Sequence, residues 1–104
     1  MSGYIQMSNQ AIAKIASSAI WSSSEVIAIA DHIKKRTDKH KFYKGITVQI
    51  EEGGKVSIFL PIITTLRTPL HLLAAQLQAN IKHEVELYTN LKVEKVDVVI
   101  SGIK

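Results

Sequence analysis

The chain has 104 residues, 46% of them hydrophobic, and a formal charge of +4 from 13 Lys and Arg against 9 Asp and Glu. That length fits one domain spanning 1–104 with a single core large enough to fold without covalent staples. The absence of cysteine excludes disulfides, thiolate metal ligands and cysteine nucleophiles together, and suits a reducing compartment.

The opening MSGYIQMSNQ has neither the basic start nor the apolar run of a secretory signal. Every apolar run is far shorter than the roughly 20 residues a membrane-spanning helix needs. The expectation is a soluble protein with residues 1–7 as a flexible lead. Its positive charge raises an anionic partner as one reading and a merely solvated basic face as the other.

Ser8 is a helix N-cap candidate, followed by Ile12, Ile15, Ala16, Ala19 and Ile20 at helical spacing, with Lys14, Ser17 and Ser18 off that stripe. This predicts a helix over 9–21. Residues 25–33, EVIAIADHI, fit either a second helix with Ser22 and Glu25 as a capping box, or a buried strand over 26–30. The strand is preferred. Residues 34–44, KKRTDKHKFYK, read as a basic loop.

The clearest local pattern follows. Ile46, Val48 and Ile50 alternate with polar residues, Glu52-Gly53-Gly54-Lys55 turns, and Val56, Ile58 and Leu60 alternate on the return. Paired glycines supply the positive φ of a tight turn, so 45–63 is an antiparallel hairpin. Pro61 lacks an N–H donor, which predicts an edge strand or a bulge there.

Thr68-Pro69 reads as a helix start with a capping hydroxyl and a proline in the first turn. The stripe Leu70, Leu73, Ala74, Leu77, Ile81, Val85 and Tyr88 then predicts a long helix over 69–88, with Gln78, Lys82 and Glu86 on its polar side. Asn90 ends it in a left-handed cap. Val96, Val98 and Ile100 mark a last strand over 93–101. The fold class is α+β in two layers: a small mixed sheet of three or four strands with both helices on one face.

No reactive constellation is visible. His83-Glu84 opens like a zinc-protease helix motif, but position 87 is Leu where that motif needs a second histidine. His71 and His83 lie about 120° apart around their helix and cannot share a site. His32 and His40 flank the basic loop and read as solvated. Glu51 and Glu52 are consecutive on a strand and point to opposite faces. Gly53-Gly54 lacks the remaining residues of a phosphate-binding loop. The reading is a protein that is not an enzyme and takes no cofactor, metal or small-molecule substrate.

The basic loop is the one candidate contact site. Lys34, Lys35, Arg36, Lys39, Lys41 and Lys44 cluster with Phe42 and Tyr43 interleaved. Cations release counterions from nucleic acid and aromatics stack on unpaired bases. The competing view is a solvated loop anchored to the core by its two aromatics. Trp21 and Tyr88 read as packing residues. Leu66 and Leu72 fit the core pattern poorly and suit an oligomer contact.

Several short strings, taken in order over about residues 8–103, resemble the alkaline shock protein family, also called the Gls24 or YloU-like envelope stress response family. Gln10-Ala-Ile-Ala-Lys-Ile-Ala16 is similar to its opening helix, and Glu25-Val26 falls where the family enters its first strand. Gly45-Ile-Thr-Val-Gln-Ile50 and Val56-Ser-Ile-Phe-Leu60 match its hairpin. Thr89-Asn-Leu-Lys-Val-Glu-Lys-Val-Asp-Val98 resembles its most recognisable segment, with Asn90 in place of the usual glycine.

The resemblance implies a bacterial, cytoplasmic, non-enzymatic scaffold or stress protein at the inner face of the cell membrane. Its implied partners are itself, as a homo-oligomer, and another protein that is membrane-embedded. The positive charge departs from the acidic character common in that family. A nucleic-acid-binding module using 34–44 stands as the alternative function.

Overall fold

The computed structural model describes residues 7–29, 34–35, 43–65 and 68–104. Its elements run α1 (Asn9–Ile20), β1 (Val26–Ile29), β2 (Lys34–Lys35), β3 (Thr47–Ile50), β4 (Lys55–Thr64), α2 (Leu70–Thr89) and β5 (Lys92–Ile103). The mixed α+β class holds. Four strands carry the sheet, and the two-residue β2 adds a fifth at its margin. The segment after α1 is a strand, as preferred over a second helix.

β4 organises the sheet. It pairs antiparallel with β3 over Val56–Phe59 and with β1 over Ile62–Thr64, and parallel with β5 along its whole length. A strand has two edges, so β3 and β1 must share one of them end to end while β5 fills the other. Pro61 therefore lies in a central strand and not at an edge, and of the two expectations for it, edge or bulge, the register shift between Ile62 and Ile63 bears out the second.

The reason it is tolerated is local. Glu51 N–H donates to the Lys55 carbonyl at 2.7 Å, which fixes the alternation: Lys55, Ser57, Phe59 and Pro61 turn their polar groups toward the β3/β1 edge. Among the described residues none of β3 or β1 pairs with Pro61. The missing donor falls where one partner strand has ended. Beside it, the β4–β5 register shifts between Ile62 and Ile63.

The other alternation faces the helices. Val56, Ile58, Leu60 and Ile62 are buried and meet Ile12, Ala16 and Ile20 of α1 and Leu73, Leu77, Ile81 and Val85 of α2 in one core. Both helices thus lie on one side of the sheet. β4–α2–β5 is a βαβ unit, and its lengths match: the 20 residues of α2 rise about 30 Å, and the 10 residues of β4 span about 33 Å. The helix returns the chain to the start of β4, so β5 can run beside all of it.

The caps are mixed in outcome. Ser8 Oγ accepts from Ala11 N–H at 3.1 Å as expected, Gly53 and Gly54 have φ of 85° and 76°, and Asn90 is left-handed at 60°. Thr68 does not cap α2. Its hydroxyl donates to the Thr65 carbonyl at 2.7 Å, and Pro69 takes the cap position with no side-chain bond. Ser17, expected on the polar side, is buried. Tyr88, assigned to the apolar stripe, is 66% exposed: the buried positions of α2 recur every four residues at Leu73, Leu77, Ile81 and Val85, and end there.

Two substitutions should move stability in opposite directions in one urea-denaturation series. A Cβ at Gly45 would overlap the Ile29 side chain, so Gly45→Ala should destabilise by about 1–3 kcal/mol. Thr64 is fully buried, and its hydroxyl has no hydrogen-bond partner. Thr64→Val keeps the shape, deletes the orphan group, and should be neutral or stabilise by about 1 kcal/mol.

Candidate interaction surfaces

The structure describes only the two ends of the basic segment. Lys34 and Lys35 form β2, registered against Ile29 and Ala28 of β1. Tyr43–Gly45 forms a single tight turn closed by Ile46 N–H on the Tyr43 carbonyl at 3.0 Å. Arg36, Lys39, Lys41 and Phe42 lie outside the described residues, as do His32, His40 and Leu66. Lys44 is exposed.

Tyr43 is half-buried against the core. Its hydroxyl accepts from Gln10 Nε2 at 2.9 Å, and the Lys14 ammonium stands 5.1 Å from its ring centre. That cation–π geometry and the hydrogen bond both tie the ring to α1. One of the two aromatics proposed for base stacking is therefore engaged in holding the segment to the helix layer.

The outer surface of the helix layer carries a second feature. Lys14, Ile15 and Ser18 of α1 and Glu84 and Tyr88 of α2 line an open groove of about 390 Å³. It runs on into a polar one of about 280 Å³ that shares Ser18 and Glu84. The small Ser18 on α1 and Ser22 just beyond it leave the groove; Tyr88 walls it. Leu87, 60% exposed, adjoins it in sequence, and Leu72, 64% exposed, stands toward the other end of α2. Leu72 fits the surface position expected for it. His71 and His83 are both exposed. Among the described residues no three His, Cys, Asp or Glu side chains converge as a metal would require.

The sheet face away from the helices is a third surface. Thr47, Gln49, Ser57, Lys95 and Asp97 surround a shallow depression of about 430 Å³, with Lys95 and Asp97 paired at 3.3 Å. Toward the far end of β4 the character changes to apolar: Phe59 is 41% and Val99 40% exposed, and Val99 sits beside Pro61 in the register. Neither Phe59 nor Val99 stands out in the sequence, since both occur in ordinary strand alternation.

The edge of the sheet completes the geometry. Among the described residues β5 pairs with β4 alone, yet its start is not bare. The Glu86 carboxylate accepts from Val93 N–H at 2.9 Å, and the Gln78 amide donates to the Val96 carbonyl at 3.0 Å. Both residues come from the polar side of α2.

Comparison with known proteins places this arrangement. The family model for the alkaline shock protein family, of cell envelope-related function, matches residues 1–104. The chain belongs to that family. It is also 26% identical over 108 residues to the uncharacterised protein YloU of Bacillus subtilis strain 168, covering 98% of this chain and 89% of YloU. No solved structure matches. No helix among the described residues is long and apolar enough to cross a membrane.

Glu86 bridges α2 and β5, so its loss exposes an unpaired N–H and unties the two elements. Glu86→Ala should cost about 1.5–3 kcal/mol in thermal or chemical unfolding. Glu86→Gln, which keeps an acceptor, should recover roughly half of that loss.

Proposed function

We propose that this chain is a non-enzymatic scaffold of the cell envelope, cytoplasmic and held at the inner membrane face through contacts with its own copies and with another, membrane-embedded protein. The observation that supports this most directly is where the apolar surface lies. Leu72, Leu87 and Tyr88 are each more than half exposed on the 20-residue α2, and Tyr88 walls an open groove between the helices. Large exposed apolar side chains set on a rigid helix are suited to burial against another protein.

Family membership supports the envelope assignment. A membrane-embedded partner fits a chain whose described helices cannot span a bilayer themselves. The grooves are open and lined by Ser18, Ser22, Asn80, Lys14 and Glu84 beside apolar side chains, and among the described residues no hydrogen bond joins either serine to Glu84 as an activated nucleophile would need. That lining favours contact over turnover.

The basic segment supports a second reading, binding of single-stranded nucleic acid. The engagement of Tyr43 with Gln10 and Lys14 weighs against it.

Sedimentation velocity over a hundredfold concentration range tests the first reading. The expected outcome is a weight-average mass that rises with concentration and shifts when Leu72 and Leu87 are both replaced by aspartate. A chain that stays monomeric throughout contradicts it. Oligonucleotide binding by fluorescence anisotropy should be weak. Affinity that falls steeply with salt, with a slope reduced by Lys34→Ala and Lys35→Ala, would instead establish the second reading.

A further inference from the structure

The outer edge of β5 is capped over its first half and bare over its second, and the direction of each backbone group follows from the register. Ile58 pairs with Val96, and its polar groups face β5, so in a parallel ladder it bonds the residues on either side, Lys95 and Asp97. Val96 faces outward, which is why Gln78 reaches its carbonyl. By the same alternation Val98 and Ile100 also turn their N–H and C=O groups outward. Among the described residues no side chain caps them, and from Val98 to Ile103 no side chain is charged. A charge-free, uncapped edge is a template for another strand.

We propose that this stretch pairs antiparallel with the same stretch of a second copy about a two-fold axis at Val99, joining two sheets into one. The proposal rests on the self-association reading above and adds to it a second contact surface, separate from the apolar face of α2.

The register is selected by the chain itself. Outward residues must oppose outward residues for hydrogen bonds to form, and an axis at Val99 sets Val98 against Ile100 of the second copy and the reverse. An axis at Val98 would oppose Ile100 to Val96, whose carbonyl Gln78 already holds. An axis at Ile100 would oppose Val98 to Gly102. Gly102 turns toward β4 beyond the register shift, as Lys104 N–H donating to the Thr64 carbonyl at 2.9 Å shows. An axis at Asp97 would stack two like carboxylates. Centring between residues would oppose inward groups to outward ones.

With the axis at Val99, both copies keep their helices on the same face. The half-exposed Val99 meets its own copy beside Phe59 and Pro61, and Asp97 lies opposite a serine hydroxyl, Ser101. Second-copy pairing is favoured over a foreign strand because the segment opposes apolar to apolar and carboxylate to hydroxyl within its own sequence.

The test uses the absence of cysteine. In Val99→Cys the only possible disulfide is intermolecular. The two sulfurs would fall in a non-hydrogen-bonded pair with Cα atoms about 4.5 Å apart, within disulfide reach. Gln49→Cys, exposed on the same sheet face but on β3, is the control.

Under a mild oxidant the Val99→Cys dimer should form at least about tenfold faster than the control on a non-reducing gel. Val99→Lys should weaken the association of the otherwise unmodified chain by at least about tenfold in sedimentation. Equal cross-linking of the two cysteine variants, with the unmodified chain still associating, overturns this interface and leaves self-association standing. An unmodified chain that remains monomeric overturns both.

Discussion

The pairing of β4 along both edges is the constraint on which the other elements depend. One edge is divided between β3 and β1, the other is filled by β5, and the helix-facing side supplies Val56, Ile58, Leu60 and Ile62 to the core. A parallel partner demands a long crossover, so α2 must be long and must lie over the sheet. α1 then packs beside it over the remaining surface. The strand reads Val56-Ser-Ile-Phe-Leu-Pro-Ile-Ile63, more continuously apolar than a half-solvated strand, and on the face away from the helices Pro61 is buried and Ile63 half-buried. The cost is an open face that retains Phe59 and Val99 in contact with water.

Elements whose signals are local are legible in the sequence. The hairpin follows from strict alternation and a double glycine, α1 from Ser8 and its stripe, and the end of α2 from Asn90. What sequence does not supply is long-range. Pro61 reads as an edge or bulge residue because a missing donor needs solvent or a break in pairing; the gap between β3 and β1, with the register shift beside it, provides that relief inside the sheet. Thr68 reads as a cap, but the Thr65 carbonyl competes for its hydroxyl. Tyr88 falls in the stripe because seven apolar residues at helical spacing tolerate a wide arc, and only the packed helix shows that burial stops at Val85.

The contact surfaces are less legible than the fold for a related reason. A run of lysines is conspicuous in any sequence, so residues 34–44 stand out. Of that run the structure describes the two ends, a strand at Lys34–Lys35 and a turn from Tyr43 that is tied to α1. Phe59 and Val99 carry no sequence signal, because their exposure depends on which face the helices leave open. Leu72 is recognisable for the opposite reason: it sits off a stripe that is itself well defined.

The extent of the protected edge on β5 is set by side-chain reach from α2. The helix runs against β5 in direction, so Glu86 serves Val93 and Gln78, two turns earlier, serves Val96. One further turn back lie Ala74 and Ala75, opposite the next outward group at Val98. Neither carries a polar atom beyond its backbone. Protection therefore ends where α2 changes from carboxylate and amide to methyl groups, and β5 changes over the same stretch from Lys92, Glu94, Lys95 and Asp97 to Val98–Ile103 without a charge. Two independent segments abandon the usual defences of an edge strand at the same height on the molecule. A longer polar residue at 74 or 75 would extend the cap at little cost in a half-exposed helix position, so the bare edge is a property of residue choice on α2 and not of the fold.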